Sequence, residues 1–187
     1  MLANPKDFPI LEIDDKFYLR EQRLSDLEDF YKYFANKNVA KYILSSIPEN
    51  IDQAREEIIY WIDLFYKNIG IYWAIADKKT DKMIGAVGYH DFNRFNNRAE
   101  ISYDLSEDYW QQGIMSKAMN VAIEYAFNKL LINRIQASTI KENIASIKIL
   151  EKCNFKFDGT LDEFRFHKGR YYDIEMYSLT KSRYKNG

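Results

Sequence analysis

The sequence predicts an α+β domain in which a mixed β-sheet is flanked by helices. Two kinds of pattern carry that reading. Short runs alternate apolar and polar residues, and longer segments place apolar residues at helical spacing. The order in which they interleave, β-α-α-β-β-β-α-β-α-β-β, sets about seven strands beside about four helices.

Lys16 to Gln22 alternates and reads as the first strand. Ser25-Asp26-Leu27-Glu28 has the pattern of a capping box and opens a helix through about Asn36. Ile58, Trp61, Ile62 and Phe65 mark one face of a second helix, from Ile51 to Tyr66. Two strands follow, Ile71 to Ala76 and Met83 to Phe92, joined by a turn at Asp77-Lys78-Lys79-Thr80-Asp81. A turn at Asn93 to Asn97 leads into a strand from Arg98 to Leu105. A helix begins near Gly113 to Ser116 and runs to about Lys129, its buried stripe marked by Met115, Ala118, Met119, Ala122 and Ala126. Arg134 to Thr139 reads as a short strand and Ile144 to Cys153 as a helix. Phe155 to Leu161 and Tyr171 to Leu179 close the chain as antiparallel strands around a turn at Gly169.

Length and composition bound the function. A chain of 187 residues suits one domain, 1–187, and no repeat, low-complexity tract or linker divides it. Hydrophobic residues make up 47% of it, enough for a core. Lys and Arg number 27 against 28 Asp and Glu, so the chain lacks the positive charge that drives nucleic-acid binding. The N-terminus shows no secretory signal, and no apolar run approaches the roughly 18 residues of a membrane helix. With one cysteine, Cys153, no internal disulfide forms, and a cytoplasmic location is expected. Cys153 has no activating partner in the sequence and reads as a buried thiol. His90 and His167 are too few and too scattered for a metal site, so none is expected.

The most informative stretch runs from Tyr103 to Lys117: strand end, a loop bearing Gln111, Gln112 and Gly113, then a helix start through Ile114, Met115 and Ser116. Free amides and the positive dipole end of a helix attract anions. Glycine lets the backbone approach closely and tolerates positive φ. Ser116 is placed to cap the helix or donate to a phosphate. The stretch suits a diphosphate cradle, and equally a plain tight turn. It matches neither the P-loop nor the dinucleotide glycine motif.

Three ordered motifs resemble the GNAT acetyltransferases, in particular the RimJ/RimL-like ribosomal-protein and small-amine enzymes. The first is Glu100-Ile101-Ser102-Tyr103-Asp104-Leu105 with Tyr109-Trp110-Gln111-Gln112-Gly113-Ile114-Met115-Ser116-Lys117-Ala118. The second is Asn143-Ile144-Ala145-Ser146 with Leu150-Glu151-Lys152-Cys153-Asn154-Phe155. The third is Asp158-Gly159-Thr160-Leu161 through Gly169 and Asp173 to Tyr177-Ser178-Leu179. The resemblance implies a mostly antiparallel mixed sheet, splayed where acetyl-CoA binds. It also implies direct acetyl transfer to an amine in a ternary complex, without metal. Tyr103 and Leu105 then line the pantetheine arm, Gln111 to Ser116 hold the pyrophosphate, and Asn143 holds the pantetheine or its thiol end. A homodimer is compatible with it.

The chain departs from the family pattern in three places. Met115 stands where a second small residue is usual, so any contact there comes from its amide. Asn154 replaces a glycine, which its tolerance of the left-handed conformation permits. The tyrosine acid that many relatives carry seven residues after the motif asparagine is here Leu150.

The catalytic role of Ser146 follows by the same resemblance, and that of Glu100 from its place on the strand that precedes the cradle. Ser146 matches the serine that bonds the thiol or the reacting carbonyl; its alternative is ordinary helix-start chemistry. Glu100 is the candidate base, directly or through water; its alternative is a structural carboxylate paired with Arg98 or Arg94. Some relatives use a later glutamate, but Arg165 takes that position, with Glu163 two residues before it. Trp61, Phe65, Tyr66, Trp73, Tyr89 and Phe92 are available to line an acceptor site, though core packing accounts for most of them. The resemblance favours a protein N-terminal α-amine as acceptor. A small amine such as a polyamine, amino sugar or drug is the alternative, with Glu56, Glu57 and Asp63 as a source of acidity. A different class, a non-catalytic acyl-CoA sensor, is the third reading.

Overall fold

The computed structural model describes residues 7–185. Eight strands form one sheet: β1 (Leu11–Glu12), β2 (Phe17–Glu21), β3 (Ile71–Asp77), β4 (Met83–Asn93), β5 (Arg98–Leu105), β6 (Arg134–Thr139), β7 (Lys156–His167) and β8 (Arg170–Thr180). Their spatial order is β1-β2-β3-β4-β5-β6-β8-β7. Every neighbouring pair is antiparallel except β5 and β6. The helices are α1 (Leu27–Phe34), α2 (Lys37–Ala40), α3 (Ile51–Tyr66), α4 (Ile114–Asn128), α5 (Ile144–Lys152) and α6 (Lys181–Lys185).

The expected sheet and helices are present, with one strand and two helices more than the sequence showed. β1 is two residues long, and α2 and α6 span four and five residues. Segments that short contain too few residues to display a period. The capping box at Ser25 is corrected. A 3-10 turn over Leu24–Asp26 precedes α1, and the Asp26 carboxylate accepts the amide of Arg23 at 2.8 Å. Asp26 is drawn there because Arg20, 1% exposed, needs a buried counter-charge: Nη2 lies 2.7 Å from Asp26 Oδ1. α1 ends at Phe34, two residues before the expected Asn36. α3 starts where Asn50 accepts the amides of Asp52 and Gln53.

Both faces of the sheet are covered, which explains the unbroken burial of Ile71 to Ala76 in β3. Successive side chains go to opposite faces. Ile71, Trp73 and Ile75 join Val87, Tyr89, Ile101 and Leu105 under α4. Tyr72, Ala74 and Ala86 pack instead with Phe30, Tyr33 and Phe34 of α1 and Ala54 and Ile58 of α3. β5 lies between these two cores, with one helical layer on each side.

Candidate active site

The sheet opens beside β5. Its parallel pairing with β6 covers only Arg98↔Arg134, Ala99↔Ile135 and Glu100↔Gln136, then stops. From Ile101 to Leu105 the strand is paired with β4 alone, so its other edge faces the gap toward α5. The gap is the splay that the family resemblance implies.

At the lower end of the gap stands the turn before α4. Gly113 is the N-cap residue at φ 74, ψ 4, in the left-handed region, and Gln111 is left-handed too at φ 60. No side chain caps α4, so Ser116 does not serve as its cap. The first amide that turns back into the helix is that of Lys117, onto Gly113 O at 3.2 Å. Among the described residues, the amides of Ile114, Met115 and Ser116 have no acceptor. Their side chains are buried, Met115 in the core below α4, so each offers only its N–H to the outside. Nothing lies within 4 Å of where a Cβ on Gly113 would sit, which leaves the backbone open to an approaching anion. The loop is held from behind: Trp110 Nε1 donates to Leu105 O at 2.8 Å, and the Gln112 side chain donates to Asp108 O at 3.2 Å.

The second motif meets the first across the gap. Asn143 is the N-cap of α5, its Oδ1 accepting the amide of Ser146 at 3.2 Å. Capping thus occupies the carbonyl end of Asn143 and leaves its amide nitrogen for another partner. The Tyr103 hydroxyl lies 2.8 Å from Ser146 Oγ and 3.3 Å from Ser146 O. Burial raises the Tyr103 phenol above its ordinary value, and the bond to Ser146 offsets part of that rise. Leu150 is fully buried, so the helix turns that position into the core. Asn154 takes the left-handed conformation at φ 63. Cys153 is buried, its thiol pushed up to about 11 by burial, and Sγ contacts Ser116 O at 3.8 Å.

Strand alternation sends Glu100, Ser102 and Asp104 to the opposite face, toward α1 and α3. Glu100 pairs with neither expected arginine: Arg98 donates to Gln136 and Arg94 to Asn68. Its carboxylate instead accepts from Ser138 Oγ at 2.5 Å and from Gln136 Nε2 at 3.3 Å, both on β6. Ser102 Oγ lies 2.7 Å from His90 Nε2. Asp104 accepts from the Tyr33 hydroxyl at 2.7 Å. Burial pushes the Asp104 carboxyl up to about 7; the Tyr33 bond opposes the rise and the charge of Glu57 adds to it.

Aromatic rings wall the same face. Trp61 stacks on Tyr72 with centroids 4.1 Å apart, and its Nε1 donates to Glu57 Oε1 at 2.9 Å. Burial raises Glu57 as well, with the Trp61 bond acting against it. The Tyr72 ring runs across Gly88, where an added Cβ would meet its Cδ2 at 2.5 Å. The other expected acceptor residues scatter. Trp73 and Tyr89 are buried beneath α4, Phe65 packs on Phe8, Tyr66 is exposed, and Phe92 borders the α4-side core. Glu56 is exposed, and Asp63 pairs with Lys67. Glu163 and Arg165 lie on the exposed edge strand β7. Asp104, Tyr33, Gln136 and Ser138 were missed in the sequence. The period of two along Glu100-Ser102-Asp104 is the signal that points to the first of them.

Comparison with known proteins identifies the family whose motifs the sequence resembles. Residues 16–156 match the family described as "Acetyltransferase (GNAT) domain". The chain is 35% identical over 170 residues to an uncharacterized N-acetyltransferase, p20, of Bacillus licheniformis, covering 91% of this chain and 96% of that one. It is 24% identical to the spermidine N(1)-acetyltransferase of Vibrio cholerae, over 93% of this chain and 98% of the relative. A crystal structure of an acetyltransferase that modifies the N-terminal serine of ribosomal protein L7/L12 from Salmonella typhimurium superposes with a TM-score of 0.81. It is 21% identical and covers 92% of this chain and 99% of that one.

Proposed function

The chain belongs to the GNAT acetyltransferase family, and from that premise we propose that it transfers acetyl from acetyl-CoA to the α-amine at a protein N-terminus. Acetyl-CoA supplies an acyl group activated as a thioester. The observation that carries the reading is the conjunction of the unsatisfied amides of Ile114 to Ser116 with the gap between β5 and β6. A diphosphate needs donors that the fold leaves free, and an extended pantetheine needs a strand edge that is not already paired.

In this reading, Gln111, Gln112 and the amides of Gly113, Ile114, Met115 and Ser116 hold the pyrophosphate. Tyr103, Leu105 and the free amide of Asn143 orient the arm, and a β5 amide facing the gap receives the carbonyl oxygen. Glu100, fixed by Ser138 and Gln136, takes the proton that the amine must lose. Ser146 faces the thiol end. The α-amine as acceptor is supported by likeness of fold to the enzyme that modifies L7/L12.

One observation favours a second reading, a small amine with an additional positive charge. Glu57 and Asp104 sit partly buried beside the stacked rings of Trp61 and Tyr72, a combination that attracts organic cations. Release of free thiol, measured across N-terminal peptides and di- and polyamines, tests both. Turnover on peptides with none on amines supports the first reading, and the reverse pattern replaces it with the second.

A further inference from the structure

We infer that Tyr103 is the proton source for the departing thiolate, acting through Ser146. The position where relatives carry a tyrosine acid is Leu150, fully buried and turned into the core. Departure of a thiolate into a partly buried gap still calls for a proton donor. Two hydroxyls meet at that place: Tyr103 from β5 and Ser146 from the first turn of α5, 2.8 Å apart.

Their geometry gives the pair a direction. Asn143 fixes the Ser146 backbone by accepting its amide. When Tyr103 donates to Ser146 Oγ, the serine hydrogen is left free to point into the gap. Glu100 and Tyr103 are three residues apart on one strand, so their side chains leave opposite faces of the sheet. A thioester held in the gap therefore has a carboxylate on the acceptor face and a hydroxyl pair on the α5 side. Proton removal and proton delivery are separated by the strand itself.

The step balances as follows. The neutral amine nitrogen forms the new bond to the acyl carbon and, as that bond forms, gives one of its protons to Glu100. The carbon–sulfur bond breaks with its electron pair on sulfur. Ser146 gives its hydroxyl proton to sulfur and takes the Tyr103 phenol proton. Solvent reprotonates the phenolate.

The inference rests on the placement of the thioester proposed above, and its test separates the two. A Ser146→Cys variant incubated with oxidised CoA is expected to form a mixed disulfide, read as added mass on that cysteine. No adduct overturns the placement, and the relay with it. With the placement established, Tyr103→Phe is expected to lower kcat with acetyl-CoA about a hundredfold and to leave KM for the donor within about twofold. Acetyl-seleno-CoA, whose leaving group is far less basic, is expected to recover most of that loss. Tyr103→Phe combined with Ser146→Ala is expected to cost little more than either alone. Independently of turnover, ultraviolet titration of the enzyme–CoA complex is expected to show the bound thiol's pKa higher in Tyr103→Phe than in wild type. An equal loss with both donors, together with an unmoved thiol, overturns the relay.

Discussion

The Tyr33 hydroxyl donates to Asp104 Oδ1 at 2.7 Å, tying α1 to the end of the strand that carries Glu100. The bond satisfies a carboxyl that burial pushes up to about 7 from an ordinary 3.8. Since the folded value exceeds the unfolded one, the fold binds the extra proton between those limits, and stability falls as pH rises through the window. Asn accepts the same bond without a charge. Asp104→Asn is therefore expected to be more stable than wild type above pH 8, by roughly 4 kcal/mol, with the difference vanishing toward pH 4. Thermal unfolding across pH reads this, and a pH-independent difference contradicts it.

Glu100 is held directly by neutral donors, Ser138 and Gln136, and Arg98 reaches it only through Gln136. Glu100→Gln is expected to reduce kcat about a hundredfold and to abolish the acidic limb of the pH–rate profile, while acetyl-CoA affinity stays unchanged. An intact acidic limb removes Glu100 from the mechanism.

At Gly113 an added methyl group meets no atom of the protein, but the residue sits at φ 74. Gly113→Ala should cost about 1 kcal/mol of stability from the left-handed conformation alone. It should weaken acetyl-CoA binding about tenfold, because the methyl group projects where the diphosphate approaches. Calorimetric titration decides; unchanged affinity means that the diphosphate lies elsewhere.

Asp26→Ala leaves the buried Arg20 guanidinium with Asp81 as its remaining counter-charge. Removing one partner of a buried pair costs about 3–5 kcal/mol, which for a chain of this size lowers Tm by about 10 °C. A shift within about 2 °C would show that the pair contributes little.

Tyr89 is fully buried with a hydroxyl that has no partner among the described residues. An unsatisfied buried hydroxyl is a net cost. Tyr89→Phe is expected to raise stability by about 1 kcal/mol in chemical denaturation, and a loss of similar size would reveal a bond to that oxygen.

The long elements were legible in the sequence because each repeats its period several times. Arg98–Leu105 and Ile51–Tyr66 have the bounds that alternation and helical spacing indicated. The α1 boundary was not, because Asp26 answers to Arg20, a partner six residues away and across the sheet layer rather than in the helix. Gly113 was visible as a turn glycine, but whether the amides behind it were free depended on what packed there.

By itself, then, the sequence determined the element order, a mixed sheet flanked by helices and the motifs that place the chain in its family. These are local or ordered patterns, and they survive being read one residue after another. Only the tertiary structure decided that β5 parts from β6 after Glu100, that Ser138 rather than an arginine holds the carboxylate, and that Tyr103 meets Ser146. Each joins residues 36 or more positions apart, and such contacts exist only when two elements are packed side by side.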